Sequence, residues 1–302
     1  MRDDRDSDVV RTSVHSRTFG EELARVREHA HFRGRELGEV LDWSPSRVSH
    51  VEHGSRGTSE ADLAYYLGMC GADPHTTARI MDLHKQIDNE YLIHNHEPGL
   101  PDELRTLIRH EAQATQITYY QSMILPGILQ TPDYARSIIS TAVGVPRDGI
   151  ESRLRARMER QSILHLREAP GWVFYLHEAA LRTMVDSGAT MEDQMMHLVL
   201  MSNWRKISIR VIPRSAPGAT WLRGQFMIMD YARYRSVVYV EQEISSLFLD
   251  EPTPVATYRL MAERLAEVAL DEEESRSMLA DLASEYYEPR GTDAPAGDPE
   301  LA

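Results

Sequence analysis

Residues 34–54, GRELGEVLDWSPSRVSHVEHG, leave a chain few ways to fold. Ser44 followed by Pro45 is a helix start. The hydroxyl accepts from the first unpaired amides, and the proline ring presets the first helical φ. Gly54 is the residue on which such a helix leaves, so the helix runs from about Pro45 to His53. Leu37, Val40 and Leu41 mark another short helix just upstream. Leu37, Leu41, Val48 and Val51 fall where the two helices would lock together. A short helix, a tight turn and a second helix with a polar outward face make a helix-turn-helix, whose second helix enters the major groove of DNA. The outward face presents Ser46, Arg47 and His50, with Ser49 nearby and Pro45 at the tip. Arg47 has the planar fork that pairs with guanine, and Ser46 and His50 donate or accept. Pro45, Ser46, Arg47 and His50 are therefore candidate base contacts. Ser44, Arg33, Arg35 and Arg56 are candidate phosphate contacts, the arginines being equally readable as ordinary surface charge. His50 and His53 are three apart, but no second ligand cluster accompanies them. A DNA contact for His50 and a helix-end role for His53 fit better than a metal.

This segment resembles the Xre class of bacterial and phage repressors, whose third helix ends in Ser-x-x-Glu-x-Gly. Ser49, Glu52 and Gly54 match that pattern. The resemblance implies an ion pair between an arginine of the first helix and the glutamate, here Arg27 and Glu52. From the residues alone, two solvated surface charges remain the alternative. Gly38 departs from the class, which usually has alanine there. Glycine inside a helix costs about 1 kcal/mol relative to alanine.

The chain has 302 residues, of which 42% are hydrophobic, enough for two domains with real cores. The net charge of −14 looks wrong for a DNA binder, yet residues 11–57 carry eight Arg against seven acids. The acid lies mostly elsewhere, and the DNA segment is weakly basic, so phosphate affinity should be modest and dimerisation should help. A lone cysteine, Cys70, permits no intrachain disulfide and fits a reducing compartment. The charged N-terminus lacks an apolar signal core, and no apolar run approaches the ~20 residues of a membrane span. A cytoplasmic, nucleoid-associated protein is expected.

The expected organisation is a disordered N-terminus (1–16), a helix-turn-helix domain (17–91), a linker (92–102) around HNHEPGLP, a second domain (103–288) and a disordered tail (289–302). In the first domain, Phe19, Leu23, Val26 and Ala30 share one helical face. Further helices are expected over Glu60–Met69 and from Asp73-Pro74 to about Tyr91. The second domain mixes helices over 132–141, 150–167, 192–203, 254–270 and 272–287 with four strands, Trp172–Leu176, Ser208–Ile212, Gln225–Asp230 and Ser236–Glu241. The fold class is thus an all-α, lambda-repressor-like domain followed by an α+β (mixed α/β) regulatory domain.

Within the second domain, LPGILQTPDYAR (125–136), RLRARMERQSIL, FYLHEAALR, ISIRVIP, GQFMIMDY and VVYVE are similar to the C-terminal domain of actinobacterial regulators of the WhiJ and AbaA kind. Their hallmark reads approximately PGLLQTxxYAR, followed by RxxRQ; Ile128 replaces the first leucine. In streptomycetes that family is tied to development and antibiotic regulation. Its genes often adjoin one for a small partner protein, and some members are described as antitoxin-like. The resemblance supplies no biochemical function for the domain. Gln130, Tyr134, Arg157, Arg160, Gln161 and Glu178 are polar residues inside apolar motifs. Arg157, Arg160 and Gln161 share one helix face. They are candidates for binding a small anion, a nucleotide or a partner's acidic surface, with a structural network as the alternative. No motif for a nucleophile, nucleotide or metal occurs, so neither enzyme nor cofactor is implied. The expected function is a homodimeric regulator on an inverted repeat of double-stranded DNA. Its C-terminal domain would answer to a partner protein or small-molecule effector. The alternative is an antitoxin-like protein that neutralises a small partner and autoregulates.

Overall fold

The computed structural model describes residues 13–53, 58–85, 91–95, 102–143, 145–216, 224–242 and 245–287. Five helices come first: α1 (Val14–His29), α2 (Gly34–Leu41), α3 (Pro45–Glu52), α4 (Glu60–Met69) and α5 (Pro74–Lys85). Their starts are written in the sequence. Ser44 Oγ accepts from the amide of Arg47 at 3.1 Å, and Ser59 Oγ from that of Asp62 at 3.1 Å. Asp73 accepts from the amide of Thr76 at 3.0 Å. Phe19, Leu23, Leu37, Val48, Leu63, Tyr66 and Ile80 close one apolar core among the five.

The second domain is built on a seven-stranded sheet of order β1-β7-β6-β5-β2-β3-β4. Its strands are β1 (Tyr91–Asn95), β2 (Gln116–Gln121), β3 (Gly171–His177), β4 (Ile207–Ile212), β5 (Phe226–Asp230), β6 (Val237–Glu241) and β7 (Ser245–Leu249). β2, β3 and β4 run parallel, and the other pairings are antiparallel. Parallel neighbours need crossovers, which helices supply. They are α7 (Pro132–Thr141) and α8 (Ile150–Arg160) between β2 and β3, then α9 (Glu178–Arg182) and α10 (Gly188–Met201) between β3 and β4. Three more helices complete the domain: α6 (Asp102–Gln113), α11 (Pro252–Val268) and α12 (Glu272–Tyr286). One sheet face carries Ile117, Trp172, Phe174, Met227 and Val237 against Leu198 of α10 and Leu279 of α12. The other carries Tyr120, Tyr175, Phe226 and Val238 against Val255 and Leu265 of α11.

Several elements differ from the sequence expectation. α1 starts at Val14, inside the stretch expected to be disordered, because its first turns are buried against the second domain. The Val14 amide donates to the Asp250 carboxylate at 2.7 Å. The Arg17 guanidinium lies 4.7 Å from the ring centres of both Tyr231 and Tyr234. The expected linker is partly sheet: residues 91–95 pair with β7, so edge backbone bonding fixes a segment whose side chains gave no strand signal. Helix α6, α9 and strands β2 and β7 went unread, and four expected strands are seven. The Arg-rich helix stops at Arg160 and continues as a 3-10 turn over Gln161–His165. Residues 1–12, Gly54, Arg56, 96–101 and the tail from 288 lie outside the described residues.

No described helix is long and apolar enough to cross a membrane. No group of three His, Cys, Asp or Glu among the described residues is arranged to hold a metal.

Candidate nucleic-acid interface

The turn between α2 and α3 sets the geometry of the exposed helix. Asp42 takes the left-handed conformation, φ 56°, a place usually left to glycine, asparagine or aspartate. The Trp43 amide then turns back to the Gly38 carbonyl at 2.8 Å. A Cβ on Gly38 would lie 2.9 Å from the Trp43 carbonyl oxygen. Glycine at this position leaves room for the turn to close this tightly.

On that scaffold Val48 and Val51 of α3 are buried, while Ser44, Pro45, Ser46, Arg47, Ser49 and His50 are exposed. The four candidate base contacts are thus all exposed, with Ser46, Arg47 and His50 on one side of the helix. Ser44 is spent as the cap and lies 3.0 Å from the Ser46 hydroxyl. Arg47 is not loose. It bonds to the Asp62 carboxylate of α4 at 2.9 Å and stacks over Trp43, 4.3 Å from the ring centre. The Arg47 guanidinium is thus tied to α4 and to the Trp43 ring. His53 bonds to the Ser49 carbonyl at 2.6 Å, at the end of the helix. Arg33 is exposed, with its amide given to Glu36 at 2.8 Å, and Arg35 makes an exposed pair with Glu39 at 3.2 Å. Both guanidinium groups stand on the solvent side of α2, while Arg56 falls outside the described residues.

Behind α3 sits a closed polar cluster. Arg27 grips Glu52 with two bonds, 2.7 Å from Nε and 2.9 Å from Nη2, and gives Nη1 to the Phe32 carbonyl at 2.9 Å. Tyr66 of α4 completes it, donating to Glu52 at 2.6 Å. The bond to Glu52 holds the Arg27 guanidinium above its ordinary pKa. Burial, then the Glu52 bond, push the Tyr66 phenol up. Burial and the same carboxylate push the Cys70 thiol up to about 11, which leaves it unreactive. Asp62, Trp43 and Tyr66 were not named from sequence; each acts across space on a residue of α3, and spacing along the chain carries no sign of that.

The polar candidates of the second domain separate into three places. Gln130, Arg157 and Gln161 meet around the PGIL turn. Arg157 donates to Gln130 at 2.7 Å, Gln161 to the Gln130 carbonyl at 2.7 Å, and Gln130 to the Leu125 carbonyl at 2.8 Å. Tyr134 accepts the Leu125 amide at 3.3 Å. Arg160 turns to Glu111 of α6 and holds it with Nε at 2.9 Å and with Nη2. Glu178 is elsewhere, bonded to Arg182 at 2.6 Å and to the Arg214 amide at 2.9 Å. Gln194 of α10, missed in the sequence, clamps both sides of the same turn, at Leu129 and Thr131.

Comparison with known proteins agrees with this division. Residues 18–80 match a helix-turn-helix domain model, and residues 104–281 match the domain of unknown function DUF5753. No curated protein matches. One solved structure, titled "Structure of TrmBL2, an archaeal chromatin protein, shows a novel mode of DNA binding", aligns at 10% identity. The alignment spans 80% of this chain and 88% of that chain, with a TM-score of 0.29, too low for any structural conclusion. The chain belongs to the DUF5753 family, with a helix-turn-helix DNA-binding domain in front of the family domain.

Proposed function

We propose that this protein is a sequence-specific transcriptional regulator that reads an inverted repeat as a homodimer, under control of its C-terminal domain. One observation carries the reading. The polar face of α3, with Ser46, Arg47 and His50, is open on a helix whose opposite face is locked by Val48, Val51 and the Arg27–Glu52–Tyr66 cluster. A preorganised helix with an exposed polar face is what major-groove reading needs.

Control by the second domain is supported by α1, which belongs to two cores at once. Its Phe19, Leu23 and Val26 pack with α2–α5, while Val14 packs with the sheet. Arg109 and Gln113 of α6 reach Glu21 of α1 at 3.3 and 2.9 Å. A movement of α6 is therefore felt by the helix that carries the reader. Dimerisation is supported by charge and by surface. One weakly basic copy holds phosphate poorly. The outer face of α4 leaves Ala61, Ala64, Tyr65, Gly68 and Met69 exposed, an apolar stripe that a second copy of α4 would cover.

The test is selection of duplexes from a randomised library with the full chain, followed by footprinting and sizing of the complex. The account expects a two-fold repeat, with half-sites about one helical turn apart and two chains bound. A single unrepeated half-site held by one chain would refute the dimer.

A further inference from the structure

We propose that Arg157 anchors a binding site for a small organic carboxylate bearing an O–H or N–H donor, at the carboxyl end of β2. As a binding site this stands alone; as the input to transcriptional control it rests on the function proposed above.

Two guanidinium groups project from the same face of α8, and they are treated differently. Arg160 is neutralised by the two-pronged grip on Glu111. Arg157 is half-buried, and among the described residues its hydrogen bond goes to a neutral oxygen, Gln130 Oε1, with no carboxylate in ion-pair range. Gln130 cannot compensate further, since its amide group is spent on Leu125. The like charge of Arg160 acts on Arg157 more strongly than the opposite charge of Glu241, exposed at the end of β6. A cation so placed is costly to a free fold. The chain also spends a close approach on it: a Cβ on Gly127 would lie 3.3 Å from Arg157 Nε.

The neighbouring groups narrow the ligand. With Nη1 committed to Gln130, Nε and Nη2 remain, the side of the fork that takes a carboxylate in two parallel bonds. One uncompensated positive charge suits a monoanion better than a phosphate dianion. Gln121 ends β2 on the same buried sheet face as Tyr119, and the chain that leaves it brings Gly127 against Arg157. Gln121 is 3% exposed, yet its Oε1 has no partner. A buried acceptor left open asks for a donor from the ligand. Hence the class: a hydroxy acid, or a carboxylate with an N–H.

The site is also placed to be heard. Glu111, which holds Arg160, sits on α6 between Arg109 and Gln113, the residues that reach α1. Its neighbour His110 bonds to Tyr231 at 2.9 Å, and Tyr231 stacks on Arg17 of α1.

The experiment is thermal melting of the full chain with glycolate and N-acetylglycine, and with acetate as the carboxylate lacking a donor. Expected is a saturable rise in Tm with the first two and a weaker one with acetate. Arg157→Met weakens the apparent affinity tenfold or more, whatever its melting point without ligand, because it removes an uncompensated charge but also strands Gln130 Oε1. Gln121→Leu abolishes the difference between glycolate and acetate. No saturable rise with either donor-bearing carboxylate overturns the proposal. So does a rise that survives in Arg157→Met, or a lower melting point of that variant with no ligand effect to lose, which marks Arg157 as a structural strut. Binding that leaves operator affinity unchanged keeps the site and refutes only its role as the regulatory input.

Discussion

Arg27→Met should be the most damaging single change to the reader domain outside its apolar core. The Arg27 and Glu52 side chains are only 12% and 11% exposed, and Arg27 holds Glu52 with two bonds. Removing the arginine strands a carboxylate whose remaining support is the Tyr66 hydroxyl, and it also frees the Phe32 carbonyl. Breaking a buried pair from one side costs about 3–5 kcal/mol, whereas an exposed pair is worth about 0–1 kcal/mol. Residual exposure places the expected loss near the lower end, about 3 kcal/mol. For a domain of this size that is a fall in Tm of roughly 12–24 °C. The paired change Arg27→Met, Glu52→Leu removes both charges. Tyr66 still has the Leu23 carbonyl at 3.1 Å. The double variant should therefore recover about 2 kcal/mol, an interaction energy readable from a double-mutant cycle in urea. A single-variant loss under about 1 kcal/mol, or a double variant as unstable as the sum of the singles, would refute the buried-pair reasoning.

Gly38→Ala gains about 1 kcal/mol of helix propensity but drives a methyl into the Trp43 carbonyl, an overpacking cost of about 1–3 kcal/mol. Chemical denaturation should show a net loss, and a stabilised variant would show that the turn has room. Stability should also fall with acid. Burial holds the His177 and His197 imidazoles below 6.5, and His177 Nδ1 accepts the Ala179 amide, which a protonated ring cannot do. The unfolded chain then takes up protons that the folded chain refuses. This contribution is full above about pH 6.5 and is lost as pH drops through the folded values. Against the opposition of burial, Glu22 is held below 4.5 by Arg79, Arg25 and Arg109, which extends the loss to lower pH. Asp250, raised by burial from 3.8, works in the opposite sense there. Melting scans from pH 7.5 to 5 should show the decline, and His197→Gln should flatten part of it. Arg17→Met removes a cation held between two tyrosine rings, contacts worth roughly 0.5–2 kcal/mol each. Amide exchange over residues 14–18 should rise about tenfold or more while α3 stays protected. Equal exchange in the parent and the variant would mean that the joint between α1 and the sheet does not depend on Arg17.

The helix-turn-helix was legible because its signals are local: a serine cap, a proline after it, and apolar spacing on two short helices. The strands of the second domain that read clearly, such as WVFYL and VVYVE, are buried apolar runs. β1 and β2 escaped for a physical reason. YLIHN and QITYYQ are held by backbone pairing with β7 and β3, which side-chain pattern does not record. The N-terminus was misjudged similarly. His15 and Arg17 look like solvent-facing residues until Tyr231, Tyr234 and Asp250, more than 200 positions away, are brought against the first turns of α1. The arginine-glutamine face of α8 was visible as a pattern. That one arginine is neutralised and the other is not depends on Glu111, which only the fold supplies.

The central claim is that α3 reads bases. It is tested most directly by measuring, at one salt concentration, the affinity of the full chain and of Arg47→Ala for a selected operator and for an unrelated duplex. A lost bidentate contact to guanine costs about 1–3 kcal/mol, or roughly five- to 150-fold. The account predicts a loss of that size on the operator and a much smaller one on the unrelated duplex. Equal affinity of the two proteins for the operator would contradict it.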